Sequence, residues 1–296
     1  MELLNELNVK KNDIEKIIYS YLPKQEGYQK TVFEAMNYSI EAGGKRLRPM
    51  LMQETYRLFG GTNEAILHPF MAAMEMIHTY SLVHDDLPAM DNDEYRRGRK
   101  TTHIVFGEAM GILAGDALLN YAFETATKAF EETSSLLKTA KAFTVLSKKA
   151  GVFGMIGGQV VDVESEGQPL TEEKLEFIHH LKTSALIEAS MMIGAILAGA
   201  DDAKVNDIEQ VARHVGLAFQ IQDDILDVTS TIEELGKPIH SDEKNNKTTY
   251  VTLFGLEQAG VKVEEYTNLS LSLLEKYTDK EDFLYQLLVY LITRKH

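Results

Sequence analysis

The stretch MAAMEMIHTYSLVHDDLPAMD, residues 71–91, is an apolar run of strong helix formers that ends in three aspartates, Asp85, Asp86 and Asp91. A helix this apolar is expected to be buried, and carboxylates packed at its end repel one another unless counter-charge is supplied. Asp85 and Asp91 are six apart, about 120° out of phase on a regular helix. Pro88 offers a remedy. It removes a backbone donor and disfavours helix at Leu87, so the chain can unwind there and swing Asp91 round. A second cluster, DDILD, places Asp223, Asp224 and Asp227 directly after the apolar run VARHVGLAFQIQ. Asp223 and Asp227 are four apart and share one helix face. One such cluster reads equally well as a solvated acidic helix end. Two that both follow inward-facing apolar runs read as metal sites.

Hard oxygen ligands, with one or two carboxylates per ion, leave coordination positions for phosphate and water and so favour Mg²⁺ over Ca²⁺. There is no His/Cys ligand set for zinc. Two clusters facing each other across a cavity would hold several Mg²⁺ ions, and those ions would hold a polyphosphate.

Working outward, the periodicity is helical nearly throughout, with Ala-, Leu-, Met- and Glu-rich stretches at 65–88, 107–131, 134–150, 172–199 and 202–228. The six prolines are expected at or near helix ends. Alternating β patterns flanked by turn pairs are essentially absent. The longest loop candidates, 92–102 and 230–247, each directly follow an acidic cluster, where long loops are often lids. No linker, low-complexity tract or repeat divides the chain. The expectation is a single all-α domain, 1–296, of ten or more helices around a deep central cavity.

The composition is that of a globular protein, with 44% hydrophobic and 25% charged residues. A net charge of −15 argues against a nucleic-acid partner or a basic membrane-surface role. Zero cysteines exclude thiolate metal sites and fit a reducing cytosol, so a cytoplasmic location is expected. The first residues carry acids early and no apolar h-region, and no run of 18 apolar residues predicts membrane insertion.

Against this acidic background the basic patches need a reason. GGKRLRP, residues 43–49, sets Lys45, Arg46 and Arg48 after a double glycine that lets backbone approach closely. Lysine as point charge and arginine as planar fork can clamp a phosphate. Arg96, Arg97, Arg99 and Lys100 follow five residues after Asp91. His78 lies seven residues before Asp85 on nearly the same stripe, which makes it either a core histidine or a phosphate contact. Lys182 and Thr183 interrupt an otherwise apolar helix, where a buried lysine would need a partner.

With these residues in hand, the chain resembles the short-chain trans-isoprenyl diphosphate synthase (polyprenyl synthetase) family, most closely its bacterial farnesyl diphosphate synthases. The likeness covers residues 38–250. It rests on GGKRLRP, EMIHTYSLVHDDLPAMDNDEYRRG, VFGEAMGILAGDALL, GGQVVDVESEG, KTSAL, FQIQDDILD and LGKPIHSDEKNNKTTYV in family order. The resemblance implies an isoprenoid-synthase-type all-α fold, a homodimer, and head-to-tail condensation of isopentenyl diphosphate with dimethylallyl and geranyl diphosphate. It implies about three Mg²⁺ ions per active site. Asp85, Asp91 and Asp223 would be principal metal ligands, with Asp86 and Asp227 supporting. Arg96, Lys182, Thr183, Gln220, Lys237 and Lys247 would serve the allylic diphosphate and its developing cation. Gly44, Lys45, Arg48, His78 and Arg97 would hold isopentenyl diphosphate.

Tyr80 and Ser81 are the expected chain-length residues. A prenyl chain growing down from Asp85 meets whatever projects about five residues, or ~7.5 Å, below it on the same helix. In the family an aromatic there accompanies a farnesyl (C15) product and a smaller residue a geranylgeranyl (C20) product. A geranylgeranyl synthase is the serious alternative. Ser184 replaces a glycine common in the family, which bears on local helix packing and removes no ligand. The 293–296 tail, TRKH, reads equally as an active-site cap or a frayed end. A class I terpene cyclase would need Asn or Asp where Leu226 stands, and GGKRLRP would be idle in it. A non-catalytic partner subunit would typically have lost aspartates.

Overall fold

The computed structural model describes residues 2–229 and 248–293. Its helices are α1 (Glu2–Ser20), α2 (Lys30–Ile40), α3 (Leu47–Leu58), α4 (Glu64–Asp85), α5 (Thr102–Phe106), α6 (Glu108–Thr127), α7 (Leu136–Ala150), α8 (Met155–Glu164), α9 (Glu172–Ile178), α10 (Ala185–Ala198), α11 (Asp202–Thr229), α12 (Tyr250–Leu274) and α13 (Phe283–Thr293). A π-helical segment, His179–Ser184, joins α9 to α10. The all-α expectation holds, and the five long stretches read from periodicity fall on α4, α6, α7, the α9–α10 run and α11. Two features escaped that reading. Residues 92–101 contain a two-residue antiparallel hairpin, β1 (Tyr95–Arg96) and β2 (Arg99–Lys100). Its turn residues, Arg97 at φ +53 and Gly98 at φ +75, are both left-handed, as a tight hairpin turn requires. Pro69 lies inside α4, not at its end. It is the sixth residue of that helix, where its missing N–H costs one hydrogen bond.

The described residues divide into two compact units. One takes in the residues up to Gln53 together with Gly61–Phe143; the other takes in Glu54–Gly60 and the residues from Thr144 onward. In the first, α4 is the core helix. Asn63 caps it through its side chain, which accepts from the Ala65 amide, and every residue from Phe70 to Ile77 is buried. Each fully buried large apolar side chain stabilises by roughly 1.5–3 kcal/mol. α6 packs on α4, and its buried stripe is Gly111, Ala114, Gly115, Leu118 and Ala122, four of the five small. A Cβ added at Gly115 would lie 2.1 Å from His84 Nε2, so the two helices approach there as only glycine allows.

In the second unit α10 is buried at every residue from Ala185 to Leu197 and packs on α11, which also packs on α12. The 172–198 run is long and apolar enough by composition to cross a bilayer. Its burial, and an ion-paired glutamate in its middle, make it the core helix of this unit.

Candidate active site

The first acidic cluster sits where α4 unwinds. The amides of Met90 and Asn92 both donate to the Leu87 carbonyl, and Asn92 is left-handed at φ +54. The chain thus folds back until the Asp91 amide donates to the Asp85 carbonyl at 2.8 Å. This is the turn expected of Pro88, and it returns Asp91 to Asp85. Asp86 takes a different part. It is buried, and Arg96 donates to its Oδ1 from both Nε and Nη2, at 2.7 and 2.6 Å. Burial raises the Asp86 carboxyl above its usual range and the Arg96 contact opposes that rise. Arg96 therefore braces the acidic turn.

The basic residues converge on a cleft of about 680 Å³ lined by Gly44, Lys45, Arg48, His78 and Arg97, with Asn8 and Lys11 of α1. All five residues assigned to the isopentenyl diphosphate are present. Gly44 stands at φ +151, and a Cβ there would sit 2.7 Å from Arg97 Nη1, so a side chain would displace the guanidinium that donates to the Gly43 carbonyl. Arg46 and Glu75 also line the cleft, but as a buried ion pair. Arg46 is 2% exposed, donates to Glu75 at 2.7 Å and to the Ile40 carbonyl at 2.6 Å, and meets Glu15 at 3.2 Å. Arg48 and Arg97 keep their charges on the cleft. Burial, and then those arginines, hold the His78 imidazole well below its ordinary pKa, so it stays neutral and can donate and accept.

The second cluster lies near the C-terminal end of α11. Asp224 is structural: it is buried, and its Oδ2 accepts from the Tyr250 amide at 2.9 Å at the start of α12. Asp227 is buried and Asp223 half-buried on the same helix. A cavity of about 140 Å³ in this unit is lined by Asp162, His179, Lys182, Thr183, Gln220 and Asp224, among others. Thr183 donates to Gln220 Oε1 at 3.0 Å, which fixes the two neutral dipoles against each other. Lys182 has the partner its burial demanded, Asp162 at 2.5 Å. Burial holds the His179 imidazole at about 4, outweighing the pull of Asp162. The π turn carries Lys182 and Thr183, as such insertions often carry functional groups. Ser184 belongs to that turn: its hydroxyl donates to the His179 carbonyl at 3.3 Å, and Gly216 of α11 makes room for it.

Asp162 was missed from sequence. Its signal was an acid on the inward side of GGQVVDVESEG, twenty residues before Lys182. Lys237 and Lys247 lie outside the described residues. Among the described residues no three His, Asp or Glu side chains close a protein-only metal cage. Mg²⁺ does not ask for one. It is commonly held by one or two carboxylates together with substrate phosphates, and the Asp85–Asp91 turn supplies such a pair.

Tyr80 is 5% exposed, packs edge-on against His84 at 5.8 Å, and has its hydroxyl pushed up to about 12 by burial and by Asp85. Ser81 donates to the His78 carbonyl at 2.9 Å.

A family model described as polyprenyl synthetase matches residues 29–288. A farnesyl diphosphate synthase of Geobacillus stearothermophilus is 47% identical over 87% of this chain and 86% of its own length. A geranylgeranyl diphosphate synthase of Cyanophora paradoxa is 46% identical, covering 89% and 88%. The crystal structure of a Helicobacter pylori geranyltransferase, complexed with magnesium and isoprenyl diphosphate, superposes with a TM-score of 0.83 at 31% identity over 99% of this chain and 97% of that one. A model that matches most of the chain, and relatives this similar over most of both lengths, settle the lineage: the chain belongs to the polyprenyl synthetase family.

Proposed function

We propose that the chain is a farnesyl diphosphate synthase, a Mg²⁺-dependent prenyltransferase that condenses isopentenyl diphosphate with dimethylallyl and then geranyl diphosphate. The observation that carries this reading is the basic cleft. It gathers Gly44, Lys45, Arg48, His78 and Arg97 in the unit that also holds the Asp85–Asp91 turn. A second diphosphate site beside an acidic one is what a condensation of two diphosphates needs and a one-substrate cyclase does not.

Asp85 and Asp91 on the acidic turn, and Asp223 and Asp227 on α11, are the carboxylates that would hold Mg²⁺. When bound, Mg²⁺ neutralises the charge that grows on the leaving diphosphate as the allylic C–O bond breaks. Arg96 keeps the acidic turn in place, and Lys182, oriented by Asp162, supplies positive charge for the allylic diphosphate. The Thr183–Gln220 pair turns neutral dipoles towards the allylic cation, and a dry cavity keeps water from capturing it. The isopentenyl double bond attacks, and the released diphosphate takes the proton. Residues 1–296 are taken as a single catalytic domain because one family match, over residues 29–288, runs unbroken through both units. A homodimer is supported by apolar side chains left in solvent on α5 and α6: Ile104, Val105, Ile112 and Leu113 are 39–51% exposed. The proposed location is cytoplasmic, and a chain without cysteine fits a reducing compartment.

The Cyanophora relative keeps a geranylgeranyl product as the second reading, and the buried Tyr80 favours C15. Incubation with isopentenyl diphosphate, an allylic starter and Mg²⁺, followed by dephosphorylation and chromatography, decides between them. Farnesol supports the proposal and geranylgeraniol the second reading. No elongation, with EDTA making no difference, overturns both.

A further inference from the structure

Among the cleft's lining residues, Asn8 and Lys11 of α1 are the two polar ones that the family motifs do not supply. We propose that Lys11, with Asn8 beside it, binds the diphosphate of isopentenyl diphosphate, so that α1 is part of that substrate site. This rests on the assignment of the cleft to isopentenyl diphosphate and adds a further ligand to it.

The sequence of α1 sets its rotation. Ile14 and Ile18, four apart, are both fully buried. Asn8, Lys11 and Glu15, three and four apart, share the neighbouring stripe. Glu15 meets the Arg46 guanidinium at 3.2 Å, and Arg46 lies between Lys45 and Arg48. One face of α1 is thereby pinned to the GGKRLRP turn, and Lys11, one turn back from Glu15, lines the cleft. Lys10 is engaged elsewhere, by Glu6 at 3.5 Å.

Charge balance gives the reason. Of the three cations in GGKRLRP, Arg46 lines the cleft only as part of a group with two carboxylates, Glu75, which lines it too, and Glu15, so that group is net negative by one charge. Counted with the formal charges of Lys45, Arg48 and Arg97, and with His78 neutral, the lining falls about one positive charge short of a diphosphate. A diphosphate monoester carries close to three negative charges, and a flexible lysine on the facing helix adds point charge without demanding fork geometry.

The test uses the full-length enzyme with each substrate varied separately. Lys11→Gln is expected to raise KM for isopentenyl diphosphate roughly three- to tenfold, as for loss of one charge-assisted contact, with kcat and the allylic KM within about twofold. Lys11→Arg restores most of the affinity, and Lys10→Gln leaves every parameter unchanged. Calorimetric titration with inorganic diphosphate reads the site without turnover and should show a similar weakening in Lys11→Gln. Arg48→Gln serves as the reference for the cleft. If it raises the isopentenyl diphosphate KM while Lys11→Gln does not, the α1 proposal fails and the site assignment stands. If neither variant moves that KM, the assignment itself fails. A rise in both KM values for Lys11→Gln would also overturn the proposal, because it would show a general field effect in place of a contact.

Discussion

Tyr80 stands five residues before Asp85 on α4, about 7.5 Å along the axis, and is held by burial and by the edge of His84. Replacing it with Ala or Ser removes the stop for a chain growing from Asp85, so the main product should lengthen from C15 to C20. Emptying a buried aromatic site costs about 3–5 kcal/mol, so the variants are assayed well below their melting temperature. An unchanged C15 product removes Tyr80 as the ruler. His179 makes a stability prediction. Its imidazole titrates near 4 when folded and near 6.5 when unfolded, so the unfolded chain binds the extra proton. The stabilising effect of its neutral form is complete above pH 6.5 and is lost as pH falls towards 4. His179→Gln should flatten the fall in denaturation midpoint across that window by about one proton's worth of slope. An identical slope in the variant refutes the assignment. The cleft cations were legible in sequence because charge after Gly-Gly in an acidic protein stands out. The Arg46–Glu75 and Lys182–Asp162 pairs were not, because periodicity says which residues turn inward and not which of them meet.

At the scale of elements, α10 begins only after the π turn has set the positions of Lys182 and Thr183. That turn is tied down by Glu188, which is fully buried and lies 2.9 Å from His180 Nε2 and 3.2 Å from Arg213 Nε, with Lys149 also on it. Burial alone would raise this carboxyl, but His180 and Lys149 prevail and hold it at about 2. Removing it empties a fully buried site and leaves Lys149 of α7 and Arg213 of α11 with Glu209 as their shared carboxylate, at 2.7 and 3.7 Å. Glu188→Ala should therefore cost about 3–5 kcal/mol in urea unfolding, and Glu188→Gln distinctly less than Glu188→Ala. A loss below about 1 kcal/mol for the alanine variant would show that the network contributes little net stability. The long helices were readable because Ala, Leu and Met at helical spacing leave one solution. The π turn was not, since it depends on the Ser184 hydroxyl reaching the His179 carbonyl and on Gly216 two helices later making room. The hairpin was missed because Arg97 takes a left-handed conformation that its residue type does not advertise.

For the whole molecule the question is whether two clusters on separate units serve one chemical centre. Asp85 and Asp91 belong to a turn that Pro88 and Asn92 create; Asp223 and Asp227 belong to an uninterrupted helix. Nothing local makes either pair depend on the other. If both hold metal ions that share one diphosphate, removing either should collapse the same transition-state interaction. Asp85→Asn and Asp223→Asn should each lower kcat by on the order of 10² or more, and the double variant should fall little below the worse single one, because groups that act as a unit are non-additive. Independent sites would instead multiply the two losses. The comparison is made at saturating Mg²⁺ and again at limiting Mg²⁺. Each single variant should need more metal for half-maximal rate, and EDTA should abolish turnover in the parent enzyme. Multiplicative losses would mean that the clusters act separately, and the single-centre mechanism would fall while the family assignment stood.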